Sequence, residues 1–151
     1  MESDLQILLR LLLAVVLAAV LGWNREHAGK AAGLRTHMLV GLGATLFIVL
    51  GEVFLDRYQR PNENLNADPI RIIEAIVTGV SFLGAGMIFV SRTRETVVGL
   101  TTAASIWVTA AMGIAVGLER YLLAVAVTGL CLLILEFTRF VERDTTHKKV
   151  G

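Results

Sequence analysis

The 151-residue chain is 55% hydrophobic and 18% charged, with a mean hydropathy of +0.68; soluble domains carry about a quarter charged residues, and here the apolar residues gather into long blocks, which excludes an ordinary soluble domain. Fourteen Lys and Arg against thirteen Asp and Glu leave a net charge of +1, so no basic field points to nucleic acid as a partner. The single cysteine, Cys131, lies within an apolar run; it excludes an internal disulfide and a thiol-rich zinc site and reads as a small membrane-facing or packing residue.

Five stretches approach the roughly 20 apolar residues that a helix needs to cross about 30 Å of hydrocarbon. In chain order they are 5–23, interrupted by Arg10; 37–55, with Glu52 near its end; 72–90, with Glu74 near its start; 99–118, without charge; and 121–140, with Glu136 and Arg139 near its end. Glu2 and Asp4 stand where a cleaved signal peptide would carry Lys or Arg, so the first stretch reads as a retained helix.

Lys and Arg set the expected orientation. Arg25, Lys30, Arg35, Arg92, Arg94, Arg139, Arg143, Lys148 and Lys149 fall on one side, and Arg57, Arg60, Arg71 and Arg120 on the other. The expectation is an all-α polytopic membrane protein of five transmembrane helices, N-terminus outside and C-terminus cytoplasmic. Residues 1–141 form the membrane domain, and 142–151 a short charged cytoplasmic tail. The outer connection, 56–71, is rich in Asn, Asp and Pro and reads as a solvated loop.

Small residues promote close helix approach in lipid. Gly79, Gly84 and Gly86 on the third span, and Gly99, Thr101, Thr102, Gly113 and Gly117 on the fourth, are the expected packing residues. They predict a central pair of spans three and four, with the Leu-rich spans one and five nearer lipid. Gly84-Ala85-Gly86 has a second reading, a broken helix that bares carbonyls to an ion.

The connection 24–37 is the densest polar segment, and its candidate cluster is Arg25, Glu26, Lys30, Arg35 and Thr36. Arg35 reads either as a positive-inside anchor or as a boundary guanidinium paired with Glu26, Glu95 or a lipid phosphate. Glu74, one turn inside its span, reads either as an interfacial ion pair with Arg71 or as an intramembrane cation ligand. His27 and His37 have no neighbour at metal-ligand spacing. An enzyme is not expected: Ser81 and Ser105 lack a base, because His27, His37 and His147 all fall outside the spans.

Three blocks carry a family resemblance. They are Gly22-Trp23-Asn24-Arg25-Glu26 with Gly29 to Val40; Arg71-Ile72 with Ile76 to Gly86; and Gly99-Leu100-Thr101-Thr102-Ala103-Ala104-Ser105-Ile106-Trp107. In this order they resemble the MgtC/SapB (YhiD-like) bacterial inner-membrane proteins. The resemblance implies a five-helix, multi-pass inner-membrane protein linked to magnesium homeostasis and growth at low Mg²⁺. It also implies the form without the soluble C-terminal domain of the virulence members. Asn24 stands where members commonly have a glutamate, and Ala75 where a glutamine is common.

Two functions follow as expectations. One is a membrane regulator acting through helix contacts, as a homodimer or larger homo-oligomer in the lipid bilayer or with another inner-membrane complex. The other is a direct transporter or channel for Mg²⁺ or another cation at an oligomer interface. No cofactor is expected, with Mg²⁺ entering as ligand or substrate.

Overall fold

The computed structural model describes residues 4–58, 68–91 and 96–147. The loop positions 59–67 with Arg60, the charges Arg92, Arg94 and Glu95, and Lys148 and Lys149 lie outside the described residues.

Among the described residues five helices follow one another: α1 Asp4–His27, α2 Leu34–Tyr58, α3 Ile70–Gly86, α4 Leu100–Gly117 and α5 Tyr121–His147. Three of them, α1, α2 and α4, are long and apolar enough to cross a membrane, and the first part of α5, Tyr121–Phe137, is a shorter apolar helix. The third span differs from the expected 72–90. Its helix stops at Gly86 and gives way to a two-stranded antiparallel hairpin, β1 Phe89–Ser91 and β2 Thr96–Val98. Glycines at 84 and 86 weaken helix propagation, and the β-branched valines that follow favour extended backbone. The Gly84 segment is therefore the end of a continuous helix and not a break within one.

The polar connection 24–37 also shrinks. Asn24 to His27 complete α1, and α2 begins at Leu34, leaving a turn at 28–33 with Gly29 at φ +64°. Glu26 makes this economical: its Oε2 accepts the Leu34 N–H at 2.8 Å. The carboxylate thereby satisfies one orphan donor and places negative charge at the positive end of α2. Asp68 performs the same service for α3, accepting the Ile70 N–H at 2.9 Å. In α5, the helix continues through 142–147, so the first part of the expected tail is helical.

The helix at the centre is α4, which packs against each of the other four and buries Met112 to Gly117 without interruption. Its closest approach is to α2, which corrects the expected pairing of spans three and four. A Cβ on Gly113 would stand 2.7 Å from the Gly41 carbonyl oxygen, and one on Gly117 2.7 Å from Ile48 Cβ. Backbone contact of this kind requires small residues on both helices, and α2 supplies Gly41 and Ala44. Thr45 reinforces the seam, its hydroxyl lying 2.9 Å from the Gly41 oxygen and 2.8 Å from the Gly113 oxygen. The second interior surface joins Ala14 and Ala18 of α1 to Met112, Ala115 and Val116 of α4 and Ala124 of α5. Leucines of α1 and α5, among them Leu8, Leu12, Leu122 and Leu133, point outward.

α3 meets α4 through Ile76, Val80 and Gly84, and a Cβ on Gly84 would make an ordinary 3.6 Å contact with Ala103. Gly79 and Gly86 have nothing within 4 Å of such an atom, and Thr101 is exposed. Among the described residues, these three therefore make no close helix contact of the kind seen at Gly113 and Gly117. Gly99 has a different task from the expected packing: at φ +92° it begins α4, and a Cβ there would collide with the Met87 carbonyl.

Candidate functional site

Polar side chains gather at the two ends of the bundle. The first group is at the end formed by the start of α1, the end of α2 and the α4–α5 turn. Arg10 is 3% exposed there. It pairs with Glu52 at 2.9 Å and Glu119 at 3.5 Å, and donates to the Gly117 carbonyl. A guanidinium suits this place because its rigid fork can serve several acceptors from one buried position. Glu119 holds a left-handed backbone, φ 60°, in the turn that delivers its carboxylate.

Around this network lies a cavity of about 760 Å³ lined by Asp4, Ile7, Arg10, Val49, Glu52, Val53, Asp56, Arg57 and Glu119. Four carboxylates against two guanidiniums give it an acidic lining. Sequence reading left Arg10 as an isolated charge in the first span and gave Glu52 no role. The available signal was that an intramembrane Arg needs a partner and that Glu52 stands near the matching end of the next helix.

The second group is at the opposite end, where the expected cluster of Arg25, Glu26, Lys30, Arg35 and Thr36 separates. Arg25 turns inward, 3% exposed, with its terminal nitrogen 3.5 Å from Thr102 Oγ1. Glu26 is spent on the start of α2, and Lys30 is exposed. Arg35 and Thr36 point outward and line a groove between α2 and α3. The cluster divides because 24–27 and 34–37 are helical, so successive residues face different directions. Asn24 contributes a link between helices, its amide donating to Glu136 on α5.

His37 corrects the expectation that every histidine lies outside the spans. It is wholly buried on α2, with Nδ1 2.9 Å from the Gly33 carbonyl oxygen and Nε2 3.3 Å from Ser105 Oγ. With the proton on Nδ1, His37 donates to the Gly33 carbonyl, while the proton of the Ser105 hydroxyl goes to the Thr102 carbonyl oxygen, 2.8 Å away. Thr102, Ser105 and Thr109 form a buried polar file along α4, and Arg25 and His37 dock on its first turns. Sequence reading singled out Thr102 as a packing residue and Ser105 as a serine without a base, and did not single out Thr109, while the histidine's place depended on where α2 begins.

Glu74 lies on the exposed face of α3 and its side chain has no hydrogen bond or ion pair among the described residues. Arg71, three residues earlier, is equally without one and lines the far end of the α2–α3 groove. Among the described residues, no three His, Cys, Asp or Glu side chains stand close enough to hold a metal together.

The groove between α2 and α3 has a volume of about 830 Å³. Leu39, Val40, Phe47, Ile72, Ile76 and Leu83 supply most of its walls, with Arg35 and Arg71 near its ends.

Apolar helices with outward-facing leucines, and charges buried only where a partner or a helix end receives them, define a helical membrane protein. The chain belongs to the MgtC family, whose profile matches residues 11–144. It is similar to Escherichia coli YhiD, named "Putative magnesium transporter YhiD", with 42% identity over 132 residues, covering 87% of this chain and 60% of that protein. It is also similar to SapB of Bacillus subtilis, with 32% identity over 143 residues, or 93% of this chain and 60% of SapB. Salmonella typhimurium MgtC is 39% identical over 121 residues, covering 80% of this chain and 47% of MgtC. The chain thus spans about 60% of the length of the first two of these relatives and about half of the third. No solved structure matches it.

Proposed function

We propose that this chain is a bacterial inner-membrane protein of magnesium homeostasis, acting as a regulator through helix contacts with a second copy or another membrane complex. In this reading it crosses the bilayer five times, with the N-terminus outside and the C-terminus cytoplasmic. It has no catalytic role and no resident cofactor. The magnesium link is supported by family membership and by the name of the Escherichia coli relative.

The observation that carries the regulatory mode is the groove between α2 and α3. Its apolar walls suit a helix or acyl chains, while Arg35 and Arg71 would repel a divalent cation. A second reading, direct cation transport, is favoured by the acidic cavity of Asp4, Glu52, Asp56 and Glu119 at the other site. Such a lining concentrates cations at its mouth.

Growth and flux separate the two. The regulatory reading expects a deletion strain to grow poorly when Mg²⁺ is scarce and to recover with the plasmid-borne protein. Purified protein in liposomes should then pass Mg²⁺ no faster than empty vesicles. Flux above that background, lost in Glu52→Gln or Glu74→Gln, would replace regulation by transport.

A further inference from the structure

The groove between α2 and α3 has apolar walls and charge of a single sign. Among the described residues that line it, the charged ones are Arg35 and Arg71, both guanidiniums. Arg35 is exposed and has no hydrogen bond or ion pair among the described residues. Glu26, on the last turn of α1, is already engaged by the Leu34 N–H and does not neutralise it. Thr36 lines the same mouth of the groove, and Lys30 is exposed in the preceding turn. At the Arg71 end the exposed carboxylate of Glu74 follows one turn along α3 and offsets the charge, so the Arg35 end is the more strongly cationic.

Length and chemistry both suit a lipid. From Arg35 to Phe47 the α2 wall runs about 18 Å at the helical rise per residue, close to half of a hydrocarbon core about 30 Å thick. An apolar groove left open in a bilayer forfeits the dispersion contacts of its walls, and acyl chains restore them.

We infer that the α2–α3 groove is a binding site for an anionic phospholipid, whose phosphate is held at Arg35 and whose acyl chains lie along Leu39, Val40, Phe47 and Leu83. The guanidinium donates to two phosphate oxygens at once, and the Thr36 hydroxyl donates from beside it. Basic pockets between membrane helices take anionic headgroups on this principle. A zwitterionic headgroup brings its own cation next to Arg35 and Lys30, whereas phosphatidylglycerol brings none, so the charge selects the headgroup and the groove holds the chains. A protein helix would need an acid at the depth of Arg35, where an anionic lipid presents its phosphate as a matter of course. The inference rests on the bilayer-spanning part of the reading above. It makes the bound lipid part of the surface offered to a second copy or another complex.

The test uses the full chain in vesicles of equal parts phosphatidylglycerol and phosphatidylcholine, with bromine on the acyl chains of one lipid or the other. Trp23 and Trp107 are replaced by Phe, and Phe47→Trp places a single fluorophore in the groove. Its quenching should report about fivefold preference for phosphatidylglycerol, the selectivity that one well-placed cation confers. Arg35→Gln should abolish the preference, and Arg120→Gln, an exposed charge at the other end of the bundle, should leave it intact. Gly43→Leu should also abolish it: Gly43 lines the groove and a Cβ there meets nothing within 4 Å, so the new side chain occupies the lipid's place without displacing α2.

Equal quenching by the two lipids, or a loss in Arg120→Gln as large as in Arg35→Gln, overturns the site. So does absence of quenching by either, which would mean that a protein helix fills the groove. Leu133→Trp on the exposed face of α5 is the reference and should be quenched alike by both lipids. Silence at 133 as well would take the bilayer-spanning reading down too, whereas quenching at 133 without preference at 47 removes the lipid site alone. A second measurement needs no fluorophore: phospholipid retained by the unaltered chain on purification from the same vesicles should be enriched in phosphatidylglycerol. An Arg35→Gln chain with the same enrichment refutes the site.

Discussion

At the residue scale, the glycines fall into physically different kinds that look alike in the sequence. Gly113 is required by proximity, since even a methyl group would stand 2.7 Å from the Gly41 oxygen. Gly43 is on the same face of the bundle as the open groove and would meet nothing. Gly113→Ala should therefore lower stability by about 1–3 kcal/mol, the usual cost of forcing a methyl into a packed site, while Gly43→Ala should be tolerated. Equilibrium unfolding in mixed detergent micelles checks both, and equal effects would mean that α2 and α4 are not in backbone contact. Gly99 combines both problems, a positive φ and a carbonyl in the way, so Gly99→Ala should cost at least about 1 kcal/mol by the same measurement. Gly113 and Gly117, as small residues on the fourth span, pointed to close packing but could not say which helix lies opposite. That depends on Gly41 and Ile48, far away in the chain.

At the scale of elements, long-range polar contacts tie the helices together where short loops alone would not. Arg10 links α1 to Glu52 of α2 and to the turn between α4 and α5. Replacing it by Met keeps the bulk of the stem but leaves two carboxylates without their cation. Because Glu52 and Glu119 are each about half exposed, the loss should be moderate, about 1–3 kcal/mol, and less than for a fully enclosed pair. Arg10→Met should accordingly unfold at lower denaturant concentration, and Glu52→Gln should recover part of the loss in the Arg10→Met background by removing one uncompensated charge. Additive losses in the double variant would show that the two residues act separately. The start of α2 illustrates how an element's boundary relocates chemistry: once Glu26 receives the Leu34 N–H, His37 falls one turn inside the helix and reaches Ser105 on α4. Periodicity and composition placed a helix there, but its first residue was decided by a carboxylate eight positions upstream.

For the whole molecule, the arrangement of charge predicts a definite orientation. With a cysteine placed at Asn64 or at Thr146 in a Cys131→Ala background, a membrane-impermeant thiol reagent added to intact cells should label position 64 and spare 146. Labelling at 146 would reverse the assignment of sides. The two ends of the bundle would then face the opposite compartments, and the acidic cavity of Asp4, Glu52, Asp56 and Glu119 would open to the cytoplasm.

Membrane character, the helical architecture and family membership were legible in the chain itself, because lipid demands long apolar segments and the three sequence blocks lie in fixed order. Partnerships were not. Whether α4 meets α2 or α3, whether Arg10 stands alone, and whether Arg25 faces water or Thr102 depend on how helices rotate about their axes when they pack. The rotation of each helix is set by neighbours distant in sequence. Only the tertiary structure decided which of the charges meet a partner within the chain, as Arg10 meets Glu52, and which, like Arg71 and Glu74, have none among the described residues.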